Sequence, residues 1–486
     1  MRKIIKKNQK PIGFSVIFLL GILMNLTTHA EQFKPTWESL DKRPIPQWFS
    51  DAKFGIFIHW GVYSVPAWRK VTQGRYASYA EWYYARVMED EKNGGAEFHR
   101  ENYGPDFEYR DFAPLFKAEL FDPDYWAELF ARSGAKYVVL TSKHHDGYCL
   151  WPTKSPYKKD WNSMAVGPKR DLVGELTRAV RKKGLRMGLY YSIIEWESTP
   201  THRTDTGYFI NKKYVEKYKI PGDKYVSAHL IPQLKELVNN YQPALIFSDG
   251  GEWDRTAGQW KVKDFLAWLY NHAPNKDEVV VNDRWGSDTP GKHGDYFSSE
   301  YEDSDVVGVG HPWEESRGVG GSYGFNRDEN LDDYSTSAEL VHELIDIVGR
   351  GGNLLLNVGP TADGRIPVIM QQRLVDIGRW LEINGEAIYG TRPWKKKARH
   401  KANKQKGIYY TLKSNHLYII CTTWPEKPVI IDGIKPTSAT TVSMLGLKQP
   451  VKWQVKEGKL VIHPPLITPA QVPCHYAYVF KISELK

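Results

Sequence analysis

Seven apolar runs of strand length recur along the first three quarters of the chain, and segments with helical periodicity separate several of them. The runs cover residues 54–62, 135–145, 185–193, 243–250, 278–285, 295–301 and 352–360. None alternates strictly between apolar and polar residues, which is typical of strands covered on both faces of a parallel sheet. Strands that alternate with helices in seven or eight such units predict an α/β fold, a (β/α)8-like TIM barrel. Only seven runs stand out, so we expect one strand to be short, hidden in the sequence or absent.

The sequence pattern changes near residue 392. Short apolar runs such as "LYIIC" and "KLVIH" then follow one another between Gly, Asn and Pro turns, and helical periodicity is lost. This pattern predicts an antiparallel β-sandwich. We therefore predict two folded domains, a barrel over residues 31–391 and a C-terminal β-sandwich domain over residues 392–486.

Residues 1–30 are predicted to be a cleaved signal peptide. The basic segment "MRKIIKKNQK" precedes the apolar segment "IGFSVIFLLGILMNL", and "THA" before "EQF" has the small residues of a cleavage site. The alternative is an uncleaved membrane anchor, but the apolar run is short for a span and no further long apolar run follows it. We therefore expect an exported protein, periplasmic or extracellular, with no integral membrane span after cleavage.

The charge of the chain does not indicate a polyanionic partner. The net charge is +9 at pH 7, and five of these positive charges belong to residues 1–30, which leaves +4 for the remainder. Such a small excess does not favour nucleic acid as a partner. The basic segment 392–406 either contacts an anionic glycan or forms a solvated loop between the two domains.

The sequence lacks the spacings that are typical of metal and cofactor sites. The three cysteines, Cys149, Cys421 and Cys474, lie far apart and have no metal-ligand spacing. No phosphate-binding loop, dinucleotide fingerprint or HExxH zinc motif is present, so we expect neither a metal nor an organic cofactor. Export would permit a disulfide between Cys421 and Cys474 and would leave Cys149 unpaired.

The polar residues of the strand-like runs fall at one end of each run. Frayed strands would carry polar residues at both ends, whereas the active sites of barrel enzymes lie where the strands end. We therefore predict that these residues share one functional face. They include His59, His144, His145, Tyr191, Asp249, Asp283, Arg284, Glu300 and Asn357.

The residue types on this face suit a polyol substrate. Histidine and arginine side chains hydrogen-bond hydroxyl groups, and a pair of carboxylates allows glycoside hydrolysis. The two candidate carboxylates are Asp249, which ends the run "PALIFSDG", and Glu300. The other acids of "SDGGEWD", Glu252 and Asp254, lie further into the loop, and we interpret them as solvated or rim residues.

Each of these residues also has a structural interpretation. Asp249 could cap the following turn, and Glu300 could be solvated beside two further acids. Arg284 could form a structural ion pair, and Tyr191 could belong to the core. The segment "HHD" at 144–146 could bind a metal, although adjacent residues of a strand point to opposite faces. The position that these residues share, at the strand ends, favours a catalytic site.

Eight stretches of the barrel region carry a resemblance to one known enzyme family. They are "WFSDAKFGIFIHWGVYSVPAW", "EWY", "FDPDYWAELFARSGAKYVVLTSKHHDGYCLW", "LYYS", "FSDGGEW", "NDRWG", "WEESRGVGGSYGFNRDE" and "GGNLLLNVGPTADGRIP". Together they resemble the α-L-fucosidases of glycoside hydrolase family 29. The resemblance implies an exo-acting, retaining enzyme that hydrolyses terminal α-L-fucosyl residues of a fucosylated oligosaccharide or glycoconjugate. It also implies a covalent fucosyl-enzyme intermediate and no cofactor.

The resemblance extends to individual residues. Asp249 is similar in position to the family nucleophile, and Glu300, in "SSEYED", to the general acid/base. Glu314 or Glu315, in "PWEESRG", is the alternative acid/base. The implied fucose pocket comprises His59, Glu81, Trp82, His144, His145, Tyr191, Arg284 and Tyr323.

Two positions depart from the family pattern. Phe247 stands two residues before Asp249, where Trp is frequent, and Tyr323 stands where relatives often have Phe. Both positions belong to the pocket wall, so the expected reaction type is unaffected and the fine specificity stays open. The alternatives are a glycosidase that acts on a related sugar such as an α-L-galactoside, and a non-catalytic glycan-binding protein.

Overall fold

A sheet of eight parallel strands forms the centre of the computed structural model, which describes residues 32–72, 78–199, 212–253, 255–301, 310–394 and 407–484. The strands are adjacent in the order β5-β4-β3-β2-β1-β8-β7-β6, the cyclic order of a (β/α)8 barrel that is open between β5 and β6. The TIM-barrel prediction is confirmed. The strands are β1 (Phe54–Ile58), β2 (Tyr137–Lys143), β3 (Arg186–Ser192), β4 (Leu245–Asp249), β5 (Val280–Val281), β6 (Phe297–Glu300), β7 (Trp313–Gly318) and β8 (Asn353–Val358).

The strand that the apolar pattern did not reveal is β7. Three of its six residues are charged, and such a segment is usually exposed. In the structure, however, Glu314 and Glu315 are fully buried. Each accepts a hydrogen bond from another strand of the sheet, because the Tyr137 hydroxyl of β2 donates to Glu314 and the Ser299 hydroxyl of β6 donates to Glu315. Partners supplied by other strands therefore allow acids to occupy a strand that hydrophobicity alone does not indicate.

Helices on the outside of the sheet connect most successive strands. Three of them begin with a capping side chain: Asp122, Asp171 and Thr336 each accept a backbone N–H of the first turn. The described residues between β5 and β7 contain no α-helix, so the barrel is irregular on the side where it is open. The helices are α1 (Trp37–Leu40), α2 (Gln47–Ala52), α3 (Gly95–Tyr103), α4 (Pro123–Arg132), α5 (Leu172–Lys182), α6 (Lys212–Tyr218), α7 (Gly222–Lys224), α8 (Ile231–Tyr241), α9 (Val262–His272), α10 (Ser337–Gly349) and α11 (Val368–Asn384).

The C-terminal part is built from two antiparallel sheets, as predicted. One has the order β13-β16-β11-β10-β9 and the other the order β12-β15-β14. Buried side chains from both sheets, among them Leu417, Ile431 and Ile462, form a common core. The strands are β9 (Arg392–Pro393), β10 (Ile408–Lys413), β11 (His416–Cys421), β12 (Val429–Ile431), β13 (Thr441–Met444), β14 (Lys452–Lys456), β15 (Lys459–His463) and β16 (Tyr478–Ser483).

The three cysteines are all buried and free, so the structure does not contain the disulfide that export would permit. Cys474 lies beside the barrel helix α11, where its Sγ accepts a hydrogen bond from Asn384 Nδ2 (3.4 Å) and donates to the Ala477 carbonyl (3.1 Å). The packing of Cys474 against α11 gives it partners other than Cys421. No helix in the described ranges combines the length and the apolar character that crossing a membrane requires.

Glu314 gives a prediction about stability. Burial raises the pKa of Glu314 to about 8, so the group is protonated in the folded chain at neutral pH. In the unfolded chain it loses its proton at about pH 4.3. Its protonation therefore stabilises the fold fully below that pH, and the stabilisation is lost as the pH rises through about 8. We expect Glu314→Gln, which does not titrate, to be more stable than the parent by about 1–3 kcal/mol at alkaline pH.

Thermal unfolding of the parent and of Glu314→Gln over a pH series tests this prediction. The difference in Tm should be near zero at acid pH and should grow as the pH rises. The exposed Glu97→Gln serves as the control and should show no such trend. If the Tm difference between Glu314→Gln and the parent does not change with pH, titration of Glu314 does not contribute to the pH dependence of stability.

Candidate active site

A cavity of about 420 Å³ opens where the barrel strands end. Seven of the eight strands or the residues directly after them contribute to its wall, as the one-sided polar pattern predicted. The lining side chains are Phe57, His59, Tyr79, Glu81, Trp82, Arg86, His144, His145, Tyr190, Phe247, Asp249, Glu252, Trp253, Asp283, Arg284, Pro290, Ser298, Ser299, Glu300, Ser316 and Tyr323. The structure thus brings together all the predicted nucleophile, acid/base and pocket residues except Tyr191.

Asp249 is the last residue of β4, and three side chains hold its carboxylate. The Tyr190 hydroxyl donates to Oδ2 (2.8 Å), Arg284 Nη1 donates to Oδ1 (3.2 Å), and His145 Nε2 lies 3.4 Å from Oδ2. Burial alone would raise the pKa of Asp249. The hydrogen bond with His145, the positive charge of Arg284 and the hydrogen bond from Tyr190 outweigh burial and hold that pKa well below its usual range. Asp249 is therefore an ionised carboxylate directed into the cavity.

Glu300 is the last residue of β6 and shares a cation with Asp249. Its Oε1 accepts a hydrogen bond from the Tyr79 hydroxyl (2.6 Å), and its Oε2 lies 3.3 Å from Arg284 Nη1. Because the same nitrogen lies 3.2 Å from Asp249 Oδ1, the two carboxylate oxygens are separated by no more than the sum of the two distances, about 6.5 Å. Retaining glycosidases place their two carboxyl groups about 5–5.5 Å apart, and inverting enzymes place them further apart.

A chain of hydrogen bonds fixes the tautomer of His59. Asn357 Nδ2 donates to the Tyr323 carbonyl (2.7 Å), so the amide oxygen of Asn357 faces His59 Nδ1 at 2.7 Å. An amide oxygen only accepts, and His59 Nδ1 must therefore carry the proton. Burial lowers the pKa of His59 to about 4, so the ring is neutral. Its Nε2 is left as an acceptor for a ligand hydroxyl group.

The two histidines of "HHD" have different surroundings. His145 Nδ1 lies 2.6 Å from the Ser192 hydroxyl, which donates its own proton to the Ile194 carbonyl. His145 Nδ1 is consequently the donor in this contact, and the ring can donate to Asp249 Oδ2 through Nε2 only when both ring nitrogens carry a proton. His144 Nδ1 is buried and has no hydrogen-bond partner among the described residues. Burial, followed by the nearby His145, lowers the pKa of His144 well below its usual value.

A buried group of charges supports the loop beside the histidines. The Glu195 carboxylate lies 2.7 Å from the ammonium groups of both Lys143 and Lys158, and none of these side chains is exposed by more than 1%. The next residue, Trp196, donates its backbone N–H to the His145 carbonyl (2.8 Å) and packs its ring 5.4 Å from that of His145. The ion pairs thus position the segment that holds His145 in place.

Aromatic rings and a buried acid complete the wall. The Trp82 ring lies 5.2 Å from that of Trp196 and 5.8 Å from that of Trp253. Tyr323 stacks on His59, with ring centroids 4.8 Å apart, and its hydroxyl group donates to Ser316 (3.0 Å). The hydroxyl that distinguishes this tyrosine from phenylalanine is therefore satisfied within the wall.

Glu81 lies in the same wall and is 1% exposed. Its carboxylate accepts hydrogen bonds from the Gly324 backbone N–H (2.8 Å) and the Ser322 hydroxyl (3.2 Å). Burial raises the pKa of Glu81 to about 7, and these two hydrogen bonds oppose the rise.

The prediction for Tyr191 requires correction. Its side chain lies on the opposite face of β3, where the hydroxyl donates to Gln233 (2.9 Å) and the ring packs against Lys143. Its neighbour Tyr190 lines the cavity and contacts Asp249. Successive side chains of a strand point to opposite faces, so an error of one residue in the alternation exchanges core and cavity. Tyr191 is thus a core residue, the structural interpretation that the sequence left open.

The remaining acids separate into three groups. Glu314 and Glu315 lie within the barrel wall and are not among the cavity-lining residues, so the structure does not bring the two alternative acid/base candidates to the cavity. Glu252, whose position beyond the strand end predicts a solvated or rim residue, does line the cavity. Asp254 lies outside the described residues.

Asp146, the acid of "HHD", faces away from the cavity that His144 and His145 line. Its carboxylate accepts hydrogen bonds from the Tyr109 hydroxyl (2.7 Å) and from the Tyr148 backbone N–H (3.1 Å), and it is not among the cavity-lining residues. The described residues contain no group of three or more His, Cys, Asp or Glu side chains arranged to hold a metal ion.

Comparison with known proteins agrees with the geometry of this cavity. A family model described as alpha-L-fucosidase matches residues 21–386, and a second, described as alpha-L-fucosidase C-terminal domain, matches residues 401–483. The chain is 42% identical over 485 residues to tissue alpha-L-fucosidase of Homo sapiens, with 98% of each chain covered. It is 43% identical over 464 residues to tissue alpha-L-fucosidase of Bos taurus, with 94% of this chain and 93% of that protein covered.

A solved structure shows the same architecture. The crystal structure of Thermotoga maritima alpha-fucosidase in complex with a mechanism-based inhibitor matches with a TM-score of 0.77 and 37% identity, covering 93% of this chain and all of that one. The sequence matches and the structural match each extend over more than nine tenths of the chain. The chain therefore belongs to the α-L-fucosidases of glycoside hydrolase family 29.

Proposed function

We propose that this chain is an exo-acting, retaining α-L-fucosidase that removes terminal α-L-fucosyl residues from glycans. The observation that carries the proposal is the pair of cavity carboxylates, Asp249 and Glu300, that a single nitrogen of Arg284 bridges. A cavity lined by histidines, tryptophans and a few hydrogen-bonding groups suits a small polyol. A non-catalytic glycan-binding protein would need neither the close carboxylate pair nor the lowered pKa of Asp249.

In the proposed first step, Asp249 Oδ2 or Oδ1 attacks the anomeric carbon of the α-L-fucoside. The C–O bond to the leaving group breaks, and Glu300 donates its proton to the departing oxygen. The product of this step is a β-linked fucosyl ester of Asp249. The contacts of Asp249 with Arg284, Tyr190 and His145 support its role, because they keep the nucleophile ionised before attack.

In the second step, Glu300 accepts a proton from a water molecule, which attacks the anomeric carbon and releases Asp249. Two inversions give net retention of configuration. Tyr79 acts as a positioning residue in this scheme, since its hydroxyl donates to Glu300 Oε1. Arg284 balances the negative charge that alternates between the two carboxylates as the proton and the fucosyl group are transferred.

We also propose that the protein is exported and that it has two domains, residues 31–391 and 392–486. The signal-like segment 1–30 lies outside the described residues, and β9 begins the C-terminal sheets at Arg392. The N-terminal residue of the mature protein tests the export proposal. Glu31 is expected at that terminus, and a mature chain that starts at Met1 would overturn it.

Azide rescue tests the two catalytic assignments separately. In Asp249→Gly, azide can occupy the space of the missing carboxylate and attack from the nucleophile side, so the product should be the β-fucosyl azide. In Glu300→Ala, the fucosyl ester of Asp249 still forms, and azide should displace it to give the α-fucosyl azide. Turnover of 4-nitrophenyl α-L-fucoside without azide should fall by at least about a thousandfold in Asp249→Gly.

Glu314→Ala and Glu315→Ala are the matched comparisons, and NMR of the products identifies the anomer. Formation of the α-fucosyl azide by either of these variants, and not by Glu300→Ala, would transfer the acid/base role to that residue. The α-L-galactoside assayed beside the fucoside measures how strictly the cavity excludes a hydroxyl group at C6.

The adjacent tyrosines of β3 provide a second test. Tyr190→Phe removes the hydroxyl that donates to Asp249, and hydrogen bonds to charged groups contribute about 1.5–3 kcal/mol. We therefore expect kcat/KM for 4-nitrophenyl α-L-fucoside to fall by about ten- to a hundredfold. Tyr191→Phe removes a hydroxyl bound to Gln233 on the opposite face and should leave kcat/KM within about threefold of the parent. The reverse ranking of the two variants would contradict the placement of Tyr190 at the nucleophile.

A further inference from the structure

Two of the cavity-lining side chains carry a buried polar atom that has no hydrogen-bond partner among the described residues. They are His144, through Nδ1, and Glu252, through Oε2. A buried polar atom without a partner costs about 1–3 kcal/mol. A ligand hydroxyl group in the cavity can offset that cost. His144 is one of the implied fucose-pocket residues, whereas no role in the reaction has so far been assigned to Glu252.

The backbone around Glu252 is held in place. Gly251, immediately before it, packs so closely that an added Cβ would lie 2.8 Å from the Trp285 carbonyl oxygen and 2.9 Å from the Arg284 carbonyl oxygen. The Trp260 indole N–H donates to the Gly251 carbonyl (3.0 Å), and the Trp253 ring packs 4.8 Å from that of His145. The turn Gly251–Trp253 therefore fixes the Glu252 side chain at the cavity.

The electrostatic surroundings of Glu252 differ from those of Asp249, and the pKa values of the two carboxyl groups shift in opposite directions. Burial, followed by the negative charge of Asp249, raises the pKa of Glu252 well above its usual value. Arg284, the nearby cation, donates its hydrogen bonds to Asp249, Glu300 and Ser298. The protonated form of Glu252, which burial and the nearby Asp249 favour, has one O–H donor and one acceptor oxygen. A sugar hydroxyl group, which both donates and accepts, matches this pair of functions.

We propose that Glu252 is a specificity-determining residue whose carboxyl group hydrogen-bonds the 2-hydroxyl group of the bound fucosyl unit. The inference rests on the proposed function, in which Asp249 contacts the anomeric carbon. Glu252 follows Asp249 by three residues, and the two carboxyl groups interact electrostatically. Of the hydroxyl groups of a fucoside, only the 2-hydroxyl is attached to a carbon bonded to the anomeric carbon. Hydrogen bonds at this position strengthen in the transition state of glycoside hydrolysis.

The test is a double-mutant cycle between the side chain and the substrate. The values of kcat/KM for 4-nitrophenyl α-L-fucoside and for its 2-deoxy analogue are measured for the parent and for Glu252→Met, which preserves volume and removes both oxygen atoms. The cycle cancels the greater intrinsic reactivity of the 2-deoxy compound. We expect Glu252→Met to lower kcat/KM by about ten- to a hundredfold with the fucoside and by less than about threefold with the 2-deoxy analogue.

Glu252→Gln, which keeps a donor and an acceptor, should restore most of the activity toward the fucoside. Glu97→Met, an exposed substitution on α3, controls for nonspecific effects and should leave both substrates unaffected. Equal losses with the two substrates, or no loss with either, would overturn the proposal for Glu252. If the parent hydrolyses neither substrate, the proposed function itself fails, and this outcome is distinct from the failure of Glu252 alone. Circular dichroism and Tm confirm that each variant is folded, and Glu252→Ala replaces Glu252→Met if the latter does not fold.

Discussion

The contact of one arginine with two carboxylates is the interaction on which the rest of the active site depends. Asp249 and Glu300 lie within a few ångströms of each other in a largely buried cavity, where two negative charges repel strongly. Burial alone would lower the pKa of Arg284, but Asp249 and then Glu300 raise it well above its usual value. The guanidinium group is consequently a permanent cation. It allows one acid to stay ionised beside a second acid that exchanges a proton during the reaction.

The position of Arg284 follows from the opening in the barrel. It comes shortly after β5, a strand of two residues, and Glu300 ends β6 on the other side of the opening. No strand ladder joins the described residues of β5 and β6. Side chains take over this function, because Asp283 Oδ1 accepts from the backbone N–H (2.9 Å) and the hydroxyl group (2.7 Å) of Ser298, and Arg284 Nε donates to the same hydroxyl (3.0 Å). The contacts of Asp283 and Arg284 with Ser298 thus bridge the opening of the barrel beside the catalytic carboxylates.

The sequence correctly predicts cavity-lining residues that are polar and that stand at the end of an apolar, strand-like run. Asp249 and Glu300 end strands, and both line the cavity at the edge where parallel strands of a barrel end. Strand β7 could not be found in this way, because Glu314 and Glu315 are paired with residues of other strands, Tyr137 of β2 and Ser299 of β6. The identity of partners across the barrel is tertiary information, and hydrophobic periodicity does not contain it.

Tyr190 and Glu252 are site residues that were missed for more specific reasons. The choice between Tyr190 and Tyr191 depends on which residues of β3 point into the barrel. Both faces of this strand are buried, so its apolar run does not show which residues point to which face. Glu252 follows the strand end, where an acid is usually solvated. In the structure, Gly251 packs closely against the backbone at Trp285, and the loop that carries Glu252 lies along the cavity. A glycine pair directly after a candidate nucleophile is the one signal in the sequence that indicates such a close approach.

Identification of the residue that carries the covalent intermediate tests the central claim most directly. Incubation with 2-deoxy-2-fluoro-α-L-fucosyl fluoride should trap the fucosyl-enzyme, because fluorine at C2 slows both steps and the fluoride leaving group restores the first. Mass spectrometry of the intact protein should show one added 2-deoxy-2-fluorofucosyl group, and peptide mapping should place it on Asp249. Labelling of Glu252, Glu300 or any other residue in place of Asp249 would contradict the account.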